Sequence, residues 1–506
     1  MSSGIHHVTA ITGDVQANVD FWMGFLGLSL VKQTAGFEDA EQLHLFYGDP
    51  DGSPGSLVSF LVWQGGAPGR VGHGRVAEIA LAVPRVRIGD WLTRAMQRGL
   101  RVEGPGREWG EPVLRLRDPD GIIVKLVGTD APDTAWPAAP LRLRAVTIWS
   151  EDPDGTAAFL GRYGYRPGPQ GGGVRRLLSD RDAIDIRNAA GFLPGVPGTG
   201  VIDHVALRVP DLAALHGHHD ALRSAGAANA VTVHDRRYFT SLYVREPGNA
   251  LIELATDGPG MAVDEPARAL GRTLVFPPHV ADSDELRLRL PQFARPGEER
   301  IAMRDLPFVH RLHRPDRPDG SAMVLLHGTG GSETDLMPLA HRIAPDALLL
   351  GLRGRSAEEG VARFFRRLTM TTFDQDDIRA EAAAFVAFWR GALAAYDLDP
   401  ARITVMGYSN GANFAGAVMG LHPGLIRRAI LMRPMAVLDD LPQVDLGGVS
   451  VLTLRGARDP YGPHAPRLND WLAAAGADLD ARVVQAGHDL TADDLTAATG
   501  WMGVTG

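Results

Sequence analysis

The 506-residue chain has no cysteine. That absence excludes disulfides, Cys-ligated zinc, iron–sulfur clusters and a cysteine nucleophile. Any metal must be held by His, Asp, Glu or backbone oxygen. No apolar run reaches membrane-spanning length, so no membrane partner is expected. No Lys/Arg run is long enough, or interleaved with aromatics, to suggest nucleic acid. The start, MSSGIHH, lacks the basic-then-apolar pattern of a secretory leader, and the cytoplasm is the expected compartment. What remains is ordinary: 45% hydrophobic residues, 22% charged and a net charge of −9. That composition suits a soluble, multi-domain globular protein with large cores.

The chain repeats itself. Four stretches open with similar strands: HHVTAITGD (6–14), AEIALAVPR (77–85), RAVTIWSED (144–152) and DHVALRVPD (203–211). Each leads into a helix-like segment and ends in a closing strand: GSLVSFLVW, DPDGIIVKLVG, RDAIDIRN and EPGNALIELAT. Strand, helix and several strands, four times over, make four βαβββ modules. Taken in order they form a first pair (1–130) and a second pair with a tail (141–293), joined by the Pro/Ala-rich TDAPDTAWPAAP. From about residue 300 the class changes. FVHRL, AMVLLH, ALLLGL, ITVMG, RAILM, VSVLTLRG and ARVVQAG are near-continuous apolar strands alternating with helices. They imply a doubly covered, mostly parallel sheet over 300–506. The expected fold class is therefore α+β followed by α/β.

Aligned across the modules, His7 falls with Glu78, Ala145 and His204, and Glu253 with Lys125. The first and fourth modules thus place a His at one strand position, and the fourth adds a carboxylate. Glu78 and Lys125 should form an ion pair instead. Singly, strand histidines fill space and a strand Glu pairs with an Arg. Jointly, two His and one carboxylate are the ligand set of non-heme Fe(II) oxygenases, with Mn(II) as the other candidate. His6 adjoins His7, and strict strand alternation turns it to the opposite face.

GIHHVTAI, YGDPDGSPGSLVSF, DHVAL, DRRYFTSLYVREPG and ALIELATDGPGMAVDE resemble the vicinal oxygen chelate superfamily over residues 4–293. Within it, the resemblance is to ring-cleaving dioxygenases of the hydroquinone 1,2-dioxygenase type. It implies Fe(II) held by His7, His204 and Glu253, with His6, Thr9, Arg236 and Tyr243 around it. In these roles His6 or Tyr243 moves a proton, Arg236 holds a developing anion and Thr9 lines the pocket. Asp203 departs from the pattern, because a second His often precedes the ligand there. That departure bears on proton handling and substrate choice.

ITVMGYSNGANFAGAVMG (403–420) reads as strand, sharp turn and helix around a G-x-S-x-G elbow with Ser409 at its apex. HGTGG (327–331) is placed to supply an oxyanion N–H at Thr329, with a second at Asn410. Asp459 and His488 each follow a strand end, in the order acid then His. His464, His422, Asp439 and Asp440 are weaker rivals. RFFRR (363–367) reads as a solvated basic helix face. HGTGG, GYSNGAN, RDP and GHDLT resemble the phospholipase/carboxylesterase-type α/β-hydrolases, which implies ester hydrolysis through an acyl-enzyme.

Together these readings describe a bifunctional aromatic-degradation enzyme. Its partners would be an aromatic diol with dioxygen, and a small ester. Two alternatives for the first half are a glyoxalase-like isomerase and a metal-free quinone- or drug-binding module. Homo-oligomerisation is compatible with the sequence.

Overall fold

The computed structural model describes residues 4–133, 139–224, 226, 232–281, 283–298 and 306–504. The chain forms two compact units, Met1–Ser283 with Leu290–Ile301, and Asp284–Arg289 with Ala302–Gly506.

The first unit contains a nine-stranded and an eight-stranded sheet. Their membership corrects the expected pairing of modules. The nine-stranded sheet joins the first module to the fourth: Ile5–Thr12 runs antiparallel to Ile202–Val209. The eight-stranded sheet joins the second to the third, through Arg75–Pro84 and Arg142–Ser150. The opening strands, buried along most of their length, pair with one another at the centre of each sheet. The short hairpin strands, more polar, take the edges. This pairing is what brings His7 into one sheet with His204 and Glu253.

The two sheets share one register. His7 lies opposite Ala206 and Glu78 opposite Thr147, with a one-residue bulge before each. Glu253 pairs with Ala206 as Lys125 pairs with Ala80. The same position in the other closing strands is held by Ser59 and Asp185. In the second sheet these positions are neutralised. Lys125 Nζ meets Glu78 Oε2 at 2.6 Å, as expected, and Arg176 forks onto Asp185 at 2.8 Å.

The second unit is a seven-stranded sheet. His310–His313 is antiparallel to Leu348–Leu352, and the remaining neighbours run parallel. The five inner strands coincide with the apolar runs in the sequence, because strands covered on both faces need apolar residues on both; the edge strands His310–His313 and Asp478–Val484 overlap their runs only in part. Two cores flank the sheet. One gathers Phe364, Phe385, Phe388 and Phe414, the other Met323, Leu349, Met406 and Trp501. The stretch Asp284–Arg289 belongs to this unit, with Leu288 in the second core, so the tail expected to close the first half is divided. RFFRR is also corrected. It is a loop bridged at Ser356–Arg363 and Arg367–Phe373, not a helix. Its two phenylalanines are fully buried and Arg363 is 3% exposed.

Candidate metal centre and candidate hydrolytic site

His7, His204 and Glu253 are buried, and one ligand atom from each lies within 4.8 Å of the others. His7 Nε2 stands 2.9 Å and His204 Nε2 3.1 Å from Glu253 Oε2. Neither approach is a hydrogen bond, and both Glu253 oxygens and His204 Nε2 lack hydrogen-bond partners. Unpartnered buried polar atoms are costly. Here His204 Nε2 and Glu253 Oε2 converge with His7 Nε2 and fit a divalent cation, which accepts lone pairs from all three at once.

The far side of each imidazole is also arranged. His204 Nδ1 bonds Asp203 Oδ2 at 2.8 Å, and His7 Nδ1 meets His6 Nδ1 at 2.9 Å. With Nδ1–H donated outward, the Nε2 lone pair of each ring faces Glu253. A metal-ligating His is generally oriented this way. The bulge before His7 explains the His6 contact and corrects the expectation from alternation. The extra residue breaks the two-residue period, and the two rings come within 5.1 Å of each other. Burial and His7 push His6 down to about 3, so it is neutral and accepts. It does not line the cavity, which leaves it behind His7 and away from substrate.

Burial alone would raise Glu253, but His7 and His204 hold it well below the usual carboxylate range. Burial opposes charge on His204, yet its hydrogen bond to Asp203 and the negative charge of the adjacent Glu253 carry it up to about 9. In the metal-free chain, protons therefore compete for His204 below pH 9. Metal binding expels that proton. Affinity should rise about tenfold per pH unit up to roughly pH 9 and then flatten, by the linkage of proton release to binding. Chelator-buffered titration between pH 6.5 and 9.5 measures this, and a pH-independent affinity would contradict it. Asp203→Asn should weaken metal binding about 10- to 100-fold, the usual effect of losing such a partner. The same titration at pH 8 reads it.

A cavity of about 440 Å³ opens at the cluster. His7, His204, Thr9, Arg236 and Tyr243 line it, together with Phe37, Phe46, Trp63, Tyr238 and Phe239. Arg236 bonds Glu38 at 2.6 Å and lies over the Tyr243 ring. Burial, then Glu253, raises the Tyr243 phenol well above its ordinary value. The sequence reading missed His44, whose Nε2 meets Ser59 Oγ at 3.0 Å; Ser59 Oγ meets Thr9 Oγ1 at 2.9 Å. Only the repeat register signals Ser59: it stands where the fourth module has Glu253.

In the second unit, strand Ile403–Tyr408 ends at Ser409, and helix Asn410–Leu421 begins directly after. Ser409 has φ 50° and ψ −112°, a strained conformation for a non-glycine residue. Glycine is required on both sides. A Cβ at Gly407 would lie 2.6 Å from the Ala412 nitrogen, and one at Gly411 would lie 2.1 Å from the Leu326 oxygen. His488 Nε2 is 3.0 Å from Ser409 Oγ, and His488 Nδ1 is 3.1 and 3.0 Å from the two Asp459 oxygens. Among the described residues, neither His464, His422, Asp439 nor Asp440 joins them. Asn410 opens the helix, and its side chain accepts from the Phe364 N–H at 2.7 Å. Gly411 N–H donates to His327 O, which sets the HGTGG loop beside the elbow, with Thr329 exposed on it.

Comparison with known proteins finds relatives for both regions of the chain. Residues 4–126 match the Glyoxalase/Bleomycin resistance protein/Dioxygenase superfamily. The chain is 34% identical over 293 residues to MhqO of Bacillus subtilis, a candidate ring-cleaving dioxygenase by name, covering 54% of this chain and 91% of MhqO. It is 29% identical over 311 residues to a chlorohydroquinone/hydroquinone 1,2-dioxygenase of Sphingobium indicum, covering 56% of this chain and 94% of that protein. A further stretch is 34% identical over 183 residues to MhqD of B. subtilis, a candidate hydrolase by name, covering 36% of this chain and 92% of MhqD. The chain belongs to the glyoxalase/dioxygenase superfamily through an N-terminal region related to the Mhq ring-cleaving dioxygenases, fused to an α/β-hydrolase-like region related to MhqD.

Proposed function

We propose that the chain is a bifunctional enzyme of aromatic degradation. Its first unit is an Fe(II)-dependent dioxygenase that opens a hydroquinone- or catechol-type ring. Its second is a serine carboxylesterase. The observation that carries the first half is the set of orphaned lone pairs on His204 and Glu253, beside His7, at the wall of an aromatic-lined cavity. His7, His204 and Glu253 would hold the metal, with Mn(II) as the substitute for Fe(II). When bound, the metal supplies a centre where an aromatic diol and dioxygen meet and exchange electrons.

The chain's own groups do the rest. Phe46, Trp63 and Phe239 exclude water from the ring. Arg236 offsets negative charge on the substrate, and Tyr243, kept protonated by burial, donates to a substrate oxygen. Thr9, Ser59 and His44 form a hydrogen-bonded chain; burial, then His7, pushes His44 down to about 3, so it stays neutral and serves to orient the hydroxyls. A glyoxalase-like isomerase would use a fuller carboxylate set. The hydroxyl of Ser59, where a second carboxylate would stand, favours the dioxygenase.

In the second unit, Ser409 Oγ attacks the ester carbonyl as its proton passes to His488 Nε2. His488 returns that proton to the departing alcohol, and water then releases the acid by the same route. Asp459 holds the His488 tautomer, and the N–H groups of Asn410 and Thr329 receive the oxyanion. The ester is either a ring-cleavage product or a conjugate that releases the diol.

The test begins with anaerobic loading and desalting. One Fe(II) per chain should remain, and the loaded protein should consume dioxygen with a 1,2- or 1,4-dihydroxybenzene. A chain that keeps no metal contradicts the dioxygenase half. Hydrolysis of a nitrophenyl ester tests the other half independently.

A further inference from the structure

We infer that Arg433, with Asp494 and Tyr408, is a positioning device that aims His488 at Ser409; the inference rests on the hydrolase reading above. Arg433 follows strand Arg428–Met432, and its side chain is fully buried, as is that of Asp494. Its guanidinium is paired end-on, with Nη1 2.7 Å and Nη2 2.9 Å from the two Asp494 oxygens. Two of the remaining donors face the loop that carries His488, and the last, on Nη1, points to Leu454 O at 3.5 Å. Nε donates to Gly487 O at 2.9 Å and Nη2 to Asp489 O at 2.8 Å. Between them, His488 O accepts from the Tyr408 hydroxyl at 3.1 Å. Three consecutive carbonyls around one catalytic residue are thus fixed by side chains.

The same segment, Met432 and Arg433, reaches the other two triad elements. Ser409 N–H donates to Met432 O, one residue before Arg433. Arg433 N–H donates at 2.7 Å to Leu454 O, in the strand that leads to Asp459. Asp494 also accepts from the Thr491 N–H at 2.8 Å, which closes the His488 loop from its far side. Arg433 holds φ 54° to do this, a backbone cost for a non-glycine side chain. A buried ion pair is weak evidence for stability by itself. A five-donor fork matched to one carboxylate, two loop carbonyls and Leu454 O is evidence of geometry, and Lys cannot reproduce it.

No atom of Arg433 touches the triad side chains in these contacts, so it acts through the loop. Arg433→Lys should lower kcat for nitrophenyl acetate about 10- to 100-fold, the scale of a small misplacement of a catalytic group. KM should stay within about threefold, since a loss confined to the transition state leaves ground-state binding alone. The rate at which a fluorophosphonate labels Ser409 should fall in step, because it needs His488 but no ester. Tyr408→Phe removes one carbonyl contact outside the buried pair and should lower kcat and labelling about 3- to 10-fold, again without a matching rise in KM. It serves where the Lys variant does not fold. All rates are taken per folded molecule, well below each variant's melting temperature. A purely structural Arg433 predicts a lower Tm with unchanged kcat and labelling, and that result overturns the inference. So does an unchanged kcat in Tyr408→Phe. Failure of the hydrolase reading looks different: wild-type Ser409 would not label at all.

Discussion

Ser409→Ala should abolish hydrolysis of nitrophenyl esters, with kcat lower by about 10⁶-fold, the scale found when a triad serine is removed. The mutation deletes the nucleophile at the apex of a strained turn and leaves His488 and Asp459 in place. Residual hydrolysis should not respond to a second change, His488→Ala, because triad members act as one unit. Fold stability should hardly move, since only a hydroxyl is lost. Dioxygen uptake by the first unit should be unchanged. Progress curves for both reactions on one preparation check this. A Ser409→Ala protein that keeps even a tenth of its esterase rate would place the nucleophile elsewhere.

Glu253→Gln should have the second large effect, on the metal. Glu253 is fully buried and ionised between two imidazoles. An amide keeps the shape but removes the charge and one strong lone-pair donor. Fe(II) or Mn(II) affinity should fall by about 100-fold or more, beyond the 10- to 100-fold expected for an outer partner such as Asp203. Esterase activity should persist at the wild-type rate. With the carboxylate charge gone, His204 loses one of the two acidic neighbours that raise it, so its proton should leave at lower pH. Chelator competition together with histidine NMR titration reads both effects. Wild-type metal affinity in this variant would show that the three residues are a buried hydrogen-bonding cluster and not a metal site.

Much of both sites was legible because repetition and strand ends carry them. The match of His7 with His204 followed from comparing modules, and the register of the nine-stranded sheet brings them together at Glu253. The elbow at Ser409 and the strand-end positions of Asp459 and His488 are local, so sequence order sufficed. The remainder depends on long-range pairing. Which modules share a sheet is decided by contacts between strands nearly 200 residues apart, and reading them in order gave the wrong partners. A one-residue bulge brings the His6 ring against His7, which strict alternation does not allow, and a bulge leaves no clear trace in a buried strand. Asp203 read as a departure from the resemblance, whereas its carboxylate takes the Nδ1 bond of His204. His44 and Ser59 lie on separate strands and gain meaning only beside Thr9. RFFRR read as a polar surface because its charges outnumber its phenylalanines, but the two rings fill a core and draw Arg363 inward.

The most direct measurement is dioxygen consumption by the anaerobically Fe(II)-loaded protein across a panel of hydroquinones and catechols, with His204→Ala run in parallel. The account predicts uptake equal to the diol consumed, a ring-opened product, and no uptake from His204→Ala while its esterase rate is unchanged. Uptake that survives in His204→Ala, or an iron-loaded wild type that is inert to every diol, would contradict it.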